Sequence, residues 1–243
     1  MVPALSSMPQ RFALYYAPAT TDLLWSRAAL WLGRDPAGGE VRAPDIDGID
    51  TANRLAISAS ARRYGFHGTL KAPMTLPEAV RPEELEAALL DFGQEHRPVA
   101  IGRLVPRFID GFVALVPQEQ SQELADFAAA VVTDFDRFRA PLAPGDRMRR
   151  LAGGTLSTRQ IELLDGYGYP YVMDEFRFHM TLTDRLPEGE RDAVMAAATD
   201  WFAQAVEKPF VLDRIVLFEQ PQAGDPFVRR GDFELRAEAM ADV

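Results

Sequence analysis

Apolar residues along the chain fall into two periodicities, and the switches between them mark the elements. Residues 11–17 (RFALYYA) form a short aromatic and aliphatic run closed by Pro18, which predicts a strand. Leu24, Ala28, Trp31 and Leu32 then recur at helical spacing, with Thr20 or Thr21 as the expected cap and Gly33 as the stop. Residues 34–60 are rich in Gly, Pro, Asp and Ser, predicting a long loop with a short helix near 51–57. Alternation over 64–71 predicts a strand, and Pro82 opens a helix with Leu85, Leu89 and Phe92 on one face. Segments 98–106 and 111–117 read as two strands joined by a turn at Ile109, Asp110 and Gly111. Leu124, Phe127, Val131, Phe135 and Phe138 make one continuous helical stripe, which is read as core. Residues 140–174 read as a second irregular insert and 176–183 as a strand. A helix from Pro187 carries Val194, Ala198, Trp201, Phe202 and Ala205, and strands at 209–219 and 227–237 close the chain.

Part of this pattern occurs twice. Phe66-His67-Gly68-Thr69-Leu70 and Phe178-His179-Met180-Thr181-Leu182 match at four of five positions, with their histidines 112 residues apart. Leu-Pro-Glu follows each copy and leads into a helix, and an apolar strand ending in proline precedes each. A duplicated unit is expected, covering about 11–106 and 107–238 within a single bilobal domain of residues 1–243, in which the lobes are free to exchange strands. The expected architecture is α+β: two antiparallel sheets flanked by helices around a central cleft.

Strand periodicity turns the two motifs into geometry. Side chains two apart share a face, so Arg63, His67, Thr69 and Lys71 stand opposite Tyr64, Phe66 and Leu70. Arg177, His179, Thr181 and Thr183 likewise stand opposite Phe176, Phe178, Met180 and Leu182. Two imidazoles and two hydroxyls brought across one cleft suit phosphodiester cleavage. One histidine activates the nucleophile, the other protonates the leaving oxygen, and the threonines donate to the non-bridging oxygens. The sequence leaves open which imidazole is acid and which is base.

Composition narrows the field. The chain has 26 Lys+Arg against 36 Asp+Glu, a formal charge of −10, three histidines and no cysteine. Without cysteine there is no disulfide scaffold, thiolate nucleophile, iron–sulfur cluster or cysteine-ligated zinc. No third histidine or carboxylate stands near the pair in sequence to complete a zinc triad, so neither metal nor cofactor is expected. The acidic balance disfavours bulk nucleic-acid binding but leaves room for a small anion held by local cations. Residues 1–10 lack a basic segment and a long apolar run, and no stretch suits a membrane span; a cytoplasmic protein with no membrane partner is the expectation.

Other residues carry two readings each. Lys71 either helps hold an anionic substrate or is a surface lysine, and Arg63 lies on the same face further away. Tyr15 and Tyr16 either stack a sugar or base or pack the core. Arg147, Arg149, Arg150 and Arg159 either clamp a second phosphate or form a solvated basic loop. His96 ends a helix and reads as structural.

At its two motifs, His67-Gly68-Thr69-Leu70 and His179-Met180-Thr181-Leu182, the chain resembles the 2H phosphoesterase superfamily. Residues 62–73 (RRYGFHGTLKAP) are similar to the branch encoded with phosphonate-utilisation genes. The resemblance implies a metal-independent phosphodiesterase of a bilobal, duplicated fold. It implies His67 and His179 as the acid–base pair and Thr69 and Thr181 as phosphate donors. The residue pattern itself adds Lys71, Tyr15, Arg63, Arg177 and Arg159 as candidate substrate contacts. The implied substrate is a small cyclic phosphodiester, for the phosphonate branch a ribose cyclic phosphate. Two rivals stand beside it: an RNA end-processing enzyme of the same superfamily, and a nucleotide- or phosphate-binding module without turnover.

Overall fold

Both faces of the first strand are apolar, and that places it inside a sheet. In the computed structural model, which describes residues 10–152 and 154–237, β1 (Arg11–Tyr16) lies between two partners, with Phe12 to Tyr16 all buried. The elements that follow are α1 (Leu23–Leu32), β2 (Arg34–Asp35), β3 (Gly39–Glu40), α2 (Thr51–Ala56), α3 (Ala59–Tyr64), β4 (Gly68–Met74) and α4 (Pro82–Glu95). Next come β5 (Val99–Gly102), β6 (Leu104–Ile109), β7 (Phe112–Pro117), α5 (Gln122–Asp134), α6 (Pro144–Ala152) and α7 (Thr158–Tyr167). The chain closes with β8 (Met180–Thr181), α8 (Arg191–Phe202), β9 (Phe210–Leu212), β10 (Arg214–Gln220) and β11 (Val228–Glu234).

Seven strands join in the order β11-β10-β1-β4-β8-β7-β6, antiparallel throughout. The α+β class therefore holds, with the two expected sheets fused edge to edge through β4 and β8. β5 and β9 pair separately as a small antiparallel ribbon. One face of the large sheet packs Phe12, Leu14, Leu70, Leu115, Met180 and Leu217 against helical side chains such as Trp31, Leu89, Phe127, Val131 and Val194. Each such large side chain contributes about 1.5–3 kcal/mol when fully buried. The opposite face packs Tyr15, Val216 and Phe218 beneath Trp25 and Phe227, and further along it opens into the site.

Several expectations change here, each for a physical reason. The cap of α1 is Asp22, whose carboxylate accepts from the Leu24 N–H at 2.6 Å, in place of Thr20 or Thr21. Residues 34–60 hold a small hairpin and α2. They are pinned by the fully buried Arg54, whose guanidinium donates to the carbonyls of Pro44, Leu30 and Trp31. Tyr64 ends a helix instead of beginning a strand. The N–H groups of Ser60 and Ala61 at the start of α3 are capped by the carboxylate of Asp184, which is remote in sequence and so gives no local signal. The insert 140–174 contains α6 and α7, the latter opened by a Ser157–Gln160 capping box that is readable as S-x-x-Q. Segment 98–106 divides at Arg103 because β5 leaves for β9 while β6 pairs with β7. The strand expected over 176–183 shrinks to Met180–Thr181. Among the described residues, no helix is long and apolar enough to cross a membrane.

Candidate active site

The two motifs meet at the middle of the sheet. Gly68 of β4 pairs with Met180 of β8 in antiparallel register. Continued by one residue each way, that register sets His67 opposite Thr181 and Thr69 opposite His179, with the two imidazoles on a diagonal. Gly68 permits this approach: a Cβ there would lie 2.7 Å from the Phe178 ring. All four side chains line one cavity of about 250 Å³.

Backbone carbonyls orient both rings. His67 Nδ1 lies 2.8 Å from the Gly65 carbonyl and His179 Nδ1 lies 2.8 Å from the Arg177 carbonyl. A carbonyl only accepts, so each Nδ1 carries the proton and each Nε2 is the nitrogen left for chemistry. The loop that supplies the first carbonyl needs glycine: Gly65 has φ of 81°, and a Cβ would strike Pro36 at 2.2 Å. The Thr69 hydroxyl donates to the free Nε2 of His67 at 3.1 Å. Tyr15 stacks on the His67 ring at 3.6 Å between centroids, and Phe112 lies 5.7 Å from that of His179.

The two environments differ electrostatically. Burial pushes the His67 pKa down to about 4; the Gly65 carbonyl opposes this, and the nearby His179 adds to it. Burial also lowers His179, opposed by the Arg177 carbonyl and by the carboxylate of Asp110. His67 is thus the more strongly neutral imidazole.

A larger cavity of about 560 Å³ adjoins the first and shares Thr69, Tyr169 and His179 with it. Its walls include Arg107, Phe112, Gln118, Tyr171, Arg177 and Arg185. Among the described residues, no three His, Asp or Glu side chains cluster as a metal site requires.

The remaining expected contacts divide. Tyr15 lines the smaller cavity, and Arg177 lines the larger one while its guanidinium donates to the Asp174 and Phe176 carbonyls. Lys71 is a correction. Its side chain is buried on the helix side, where Nζ donates to the Val132 carbonyl and to Asp136, both at 3.0 Å. The cause lies in two register shifts between β1 and β4, which interrupt the alternation and bring Ala72 and Pro73 to the cavity instead. Arg63 and Arg159 are also corrections: both are exposed and line neither cavity, and Arg159 is held by Asp174 and Glu162. Arg147 pairs with Asp165, and the Arg149 side chain lies outside the described residues. Thr183 turns inward, where its hydroxyl accepts from the Val113 N–H. His96 stacks on Phe92 and bonds its carbonyl through Nδ1.

Sequence reasoning passed over Arg11 and weighed Arg150 mainly as part of a solvated loop, yet both line the smaller cavity. Arg11 donates to Gln220 at 2.7 Å and Arg150 lies over the Tyr169 ring; neither forms an ion pair among the described residues. The only early signal was their place beside an apolar strand and within a basic insert. Tyr64, Tyr169 and Asp184 complete the wall.

One cavity of the antiparallel sheet thus brings together two oriented imidazoles and two hydroxyls. The chain belongs to the family described as protein of unknown function DUF1045, which matches residues 69–228. It is 38% identical over 224 residues to a protein of Janthinobacterium sp. (strain Marseille) named ribose 1,5-bisphosphate phosphokinase PhnN, covering 90% of this chain and 49% of that one. A protein of Laribacter hongkongensis (strain HLHK9) with the same name is 34% identical over 218 residues, covering 89% of this chain and 50% of the relative. The chain thus spans about half the length of these curated relatives. Among solved structures, E. coli LigT complexed with NADP+ aligns at 14% identity and a TM-score of 0.42, covering 94% of this chain and 99% of that one.

Proposed function

We propose that the protein is a metal-independent phosphodiesterase of the 2H type acting on a small cyclic phosphodiester. The observation that carries this reading is one cavity lined by His67, Thr69, His179 and Thr181, with a backbone carbonyl at the Nδ1 of each imidazole. In the proposed step, the neutral His67 takes a proton from water as the oxygen attacks phosphorus. Protonated His179 gives its Nε2 proton to the leaving ring oxygen. The Thr69 hydroxyl moves from His67 to a non-bridging oxygen, joined by Thr181, while Arg11 and Arg150 offset the phosphate charge. The larger cavity takes the rest of the substrate.

The relatives' name supports a ribose cyclic phosphate. This chain's two lysines, Lys71 and Lys208, follow no glycine-rich loop, so the phosphate-gripping lysine of a P-loop kinase has no counterpart here. Phosphokinase activity is therefore assigned to the part of those relatives outside the aligned half. Attack on phosphorus of a ribose 1,2-cyclic phosphate with the O2 oxygen leaving keeps the C1–O–P bond and yields a ribose 1-phosphate monoester, the kind of compound such a kinase would take.

The test is turnover of ribose 1,2-cyclic phosphate and of 2′,3′-cyclic nucleotides, with and without chelator, by wild type and by His67→Ala and His179→Ala. The expected outcome is chelator-insensitive hydrolysis that falls on the order of 10²–10⁴-fold in each variant. Full turnover by either variant, or tight binding of these compounds without turnover, overturns the proposal.

A further inference from the structure

The strand that presents His179 has very little ladder of its own. β8 is two residues long, and Phe176, Arg177 and Phe178 lie outside any strand. The Phe176 carbonyl accepts from the Arg177 guanidinium at 2.8 Å, and one side chain from the turn between β7 and α5 bonds the backbone on both sides of Arg177. Gln120 donates through Nε2 to the Phe176 carbonyl at 3.2 Å and accepts through Oε1 from the Phe178 N–H at 2.6 Å. A carbonyl and an N–H on either side of one residue are the pair that a neighbouring parallel strand would engage, so the carboxamide stands in for a strand residue facing Arg177. That bracketed residue supplies the carbonyl 2.8 Å from His179 Nδ1. The Phe178 ring in turn lies over Gly68.

We infer that Gln120 is the positioning residue of His179: its carboxamide fixes the Arg177 carbonyl, and through it the tautomer and aim of the ring. The inference rests on the catalytic reading of His179 for its kinetic consequence only. Aiming a reacting group is worth much of its rate, since displacements near 1 Å cost about 100-fold. Arg177 and His179 both keep their identity when Gln120 alone is changed, so the effect of the bracket can be read separately.

The experiment uses Gln120→Met, close in volume with neither hydrogen bond, and Gln120→Glu, whose carboxylate still accepts from Phe178 but cannot donate to Phe176. ¹⁵N-labelled histidine spectra of the full chain are recorded on each, with turnover of ribose 1,2-cyclic phosphate alongside. The expected result is that His179 loses its single Nδ1–H tautomer in Gln120→Met, while His67, held by Gly65, keeps its own. kcat should fall about 10- to 100-fold with KM little changed, and Gln120→Glu should lie between. A His179 signal that stays in the wild-type tautomer overturns the inference. So does a rise in KM at constant kcat, which would make Gln120 a substrate contact. If Gln120→Met fails to fold, Gln120→Glu carries the same two readouts. The tautomer is read without turnover, so full activity in His179→Ala would sink the catalytic reading and leave this result standing.

Discussion

His67 and His179 share one hydrogen-bonding pattern and differ in what surrounds the ring. Tyr15 covers His67, while Asp110 faces His179 across the larger cavity. The proposed base must be neutral and the proposed acid protonated, so activity rises as pH climbs past the His67 value and falls as it passes that of His179. A bell-shaped pH dependence of kcat/KM is expected, with its acid limb near 4 and its alkaline limb below the ordinary imidazole value. Because the rings interact, both limbs belong to the pair. An alkaline limb above 7 would contradict this assignment. His67 also links to stability: its folded pKa is depressed, so its contribution is full above the unfolded value near 6.5 and is lost as pH falls toward 4. Thermal melts of wild type between those values should decline more steeply than melts of His67→Asn. Thr69→Val and Thr181→Val should each cost about 3 kcal/mol in kcat/KM, the size of one lost anion donor. At this scale the H-x-T-hydrophobic pairs were legible in the sequence because a two-residue spacing survives even where the strand itself is short.

Elements were less legible, and β4 shows why. Period-two reasoning assumes an unbroken pleat, and two register shifts in seven residues break it. Lys71 lands against α5, where its ammonium is hydrogen-bonded and nearly inaccessible. Lys71→Met should therefore lower stability by about 1–3 kcal/mol, reduced because Asp136 keeps Arg139, while leaving kcat/KM near wild type. Denaturant unfolding and steady-state assays separate the two effects; lost activity in a stable variant would return Lys71 to the site. Gly68→Ala tests the neighbouring seam. Its methyl would meet the Phe178 ring at 2.7 Å, and overpacking of this kind costs about 1–3 kcal/mol. α3 was misread for a related reason: its cap comes from Asp184, which no window around residue 60 contains.

Across the whole molecule, the acidic surplus of the composition coexists with a cationic lining. Arg11 and Arg150 reach one cavity and Arg107 and Arg185 the other, none of them ion-paired among the described residues. Net charge is a sum over the surface and says nothing of that placement, so the sequence showed the balance and hid the patch. The pairing of the two motifs was visible as a repeat, whereas the fusion of their sheets into one was not, since local patterns carry no information about which strands become neighbours. That fusion has a consequence for how the protein moves. The seam between β4 and β8 is held by little backbone ladder, with Gly68 and Met180 as its paired residues. It is where the sheet should breathe first, parting the imidazoles as it does. A phosphate gripped from both sides would act as a rivet through that seam. Amide exchange at Thr69 and Thr181, the amides that flank the Gly68–Met180 pair, should therefore be fast in the free protein and slow sharply when a non-hydrolysable cyclic phosphate analogue binds, so that the ligand completes a sheet the chain leaves barely closed.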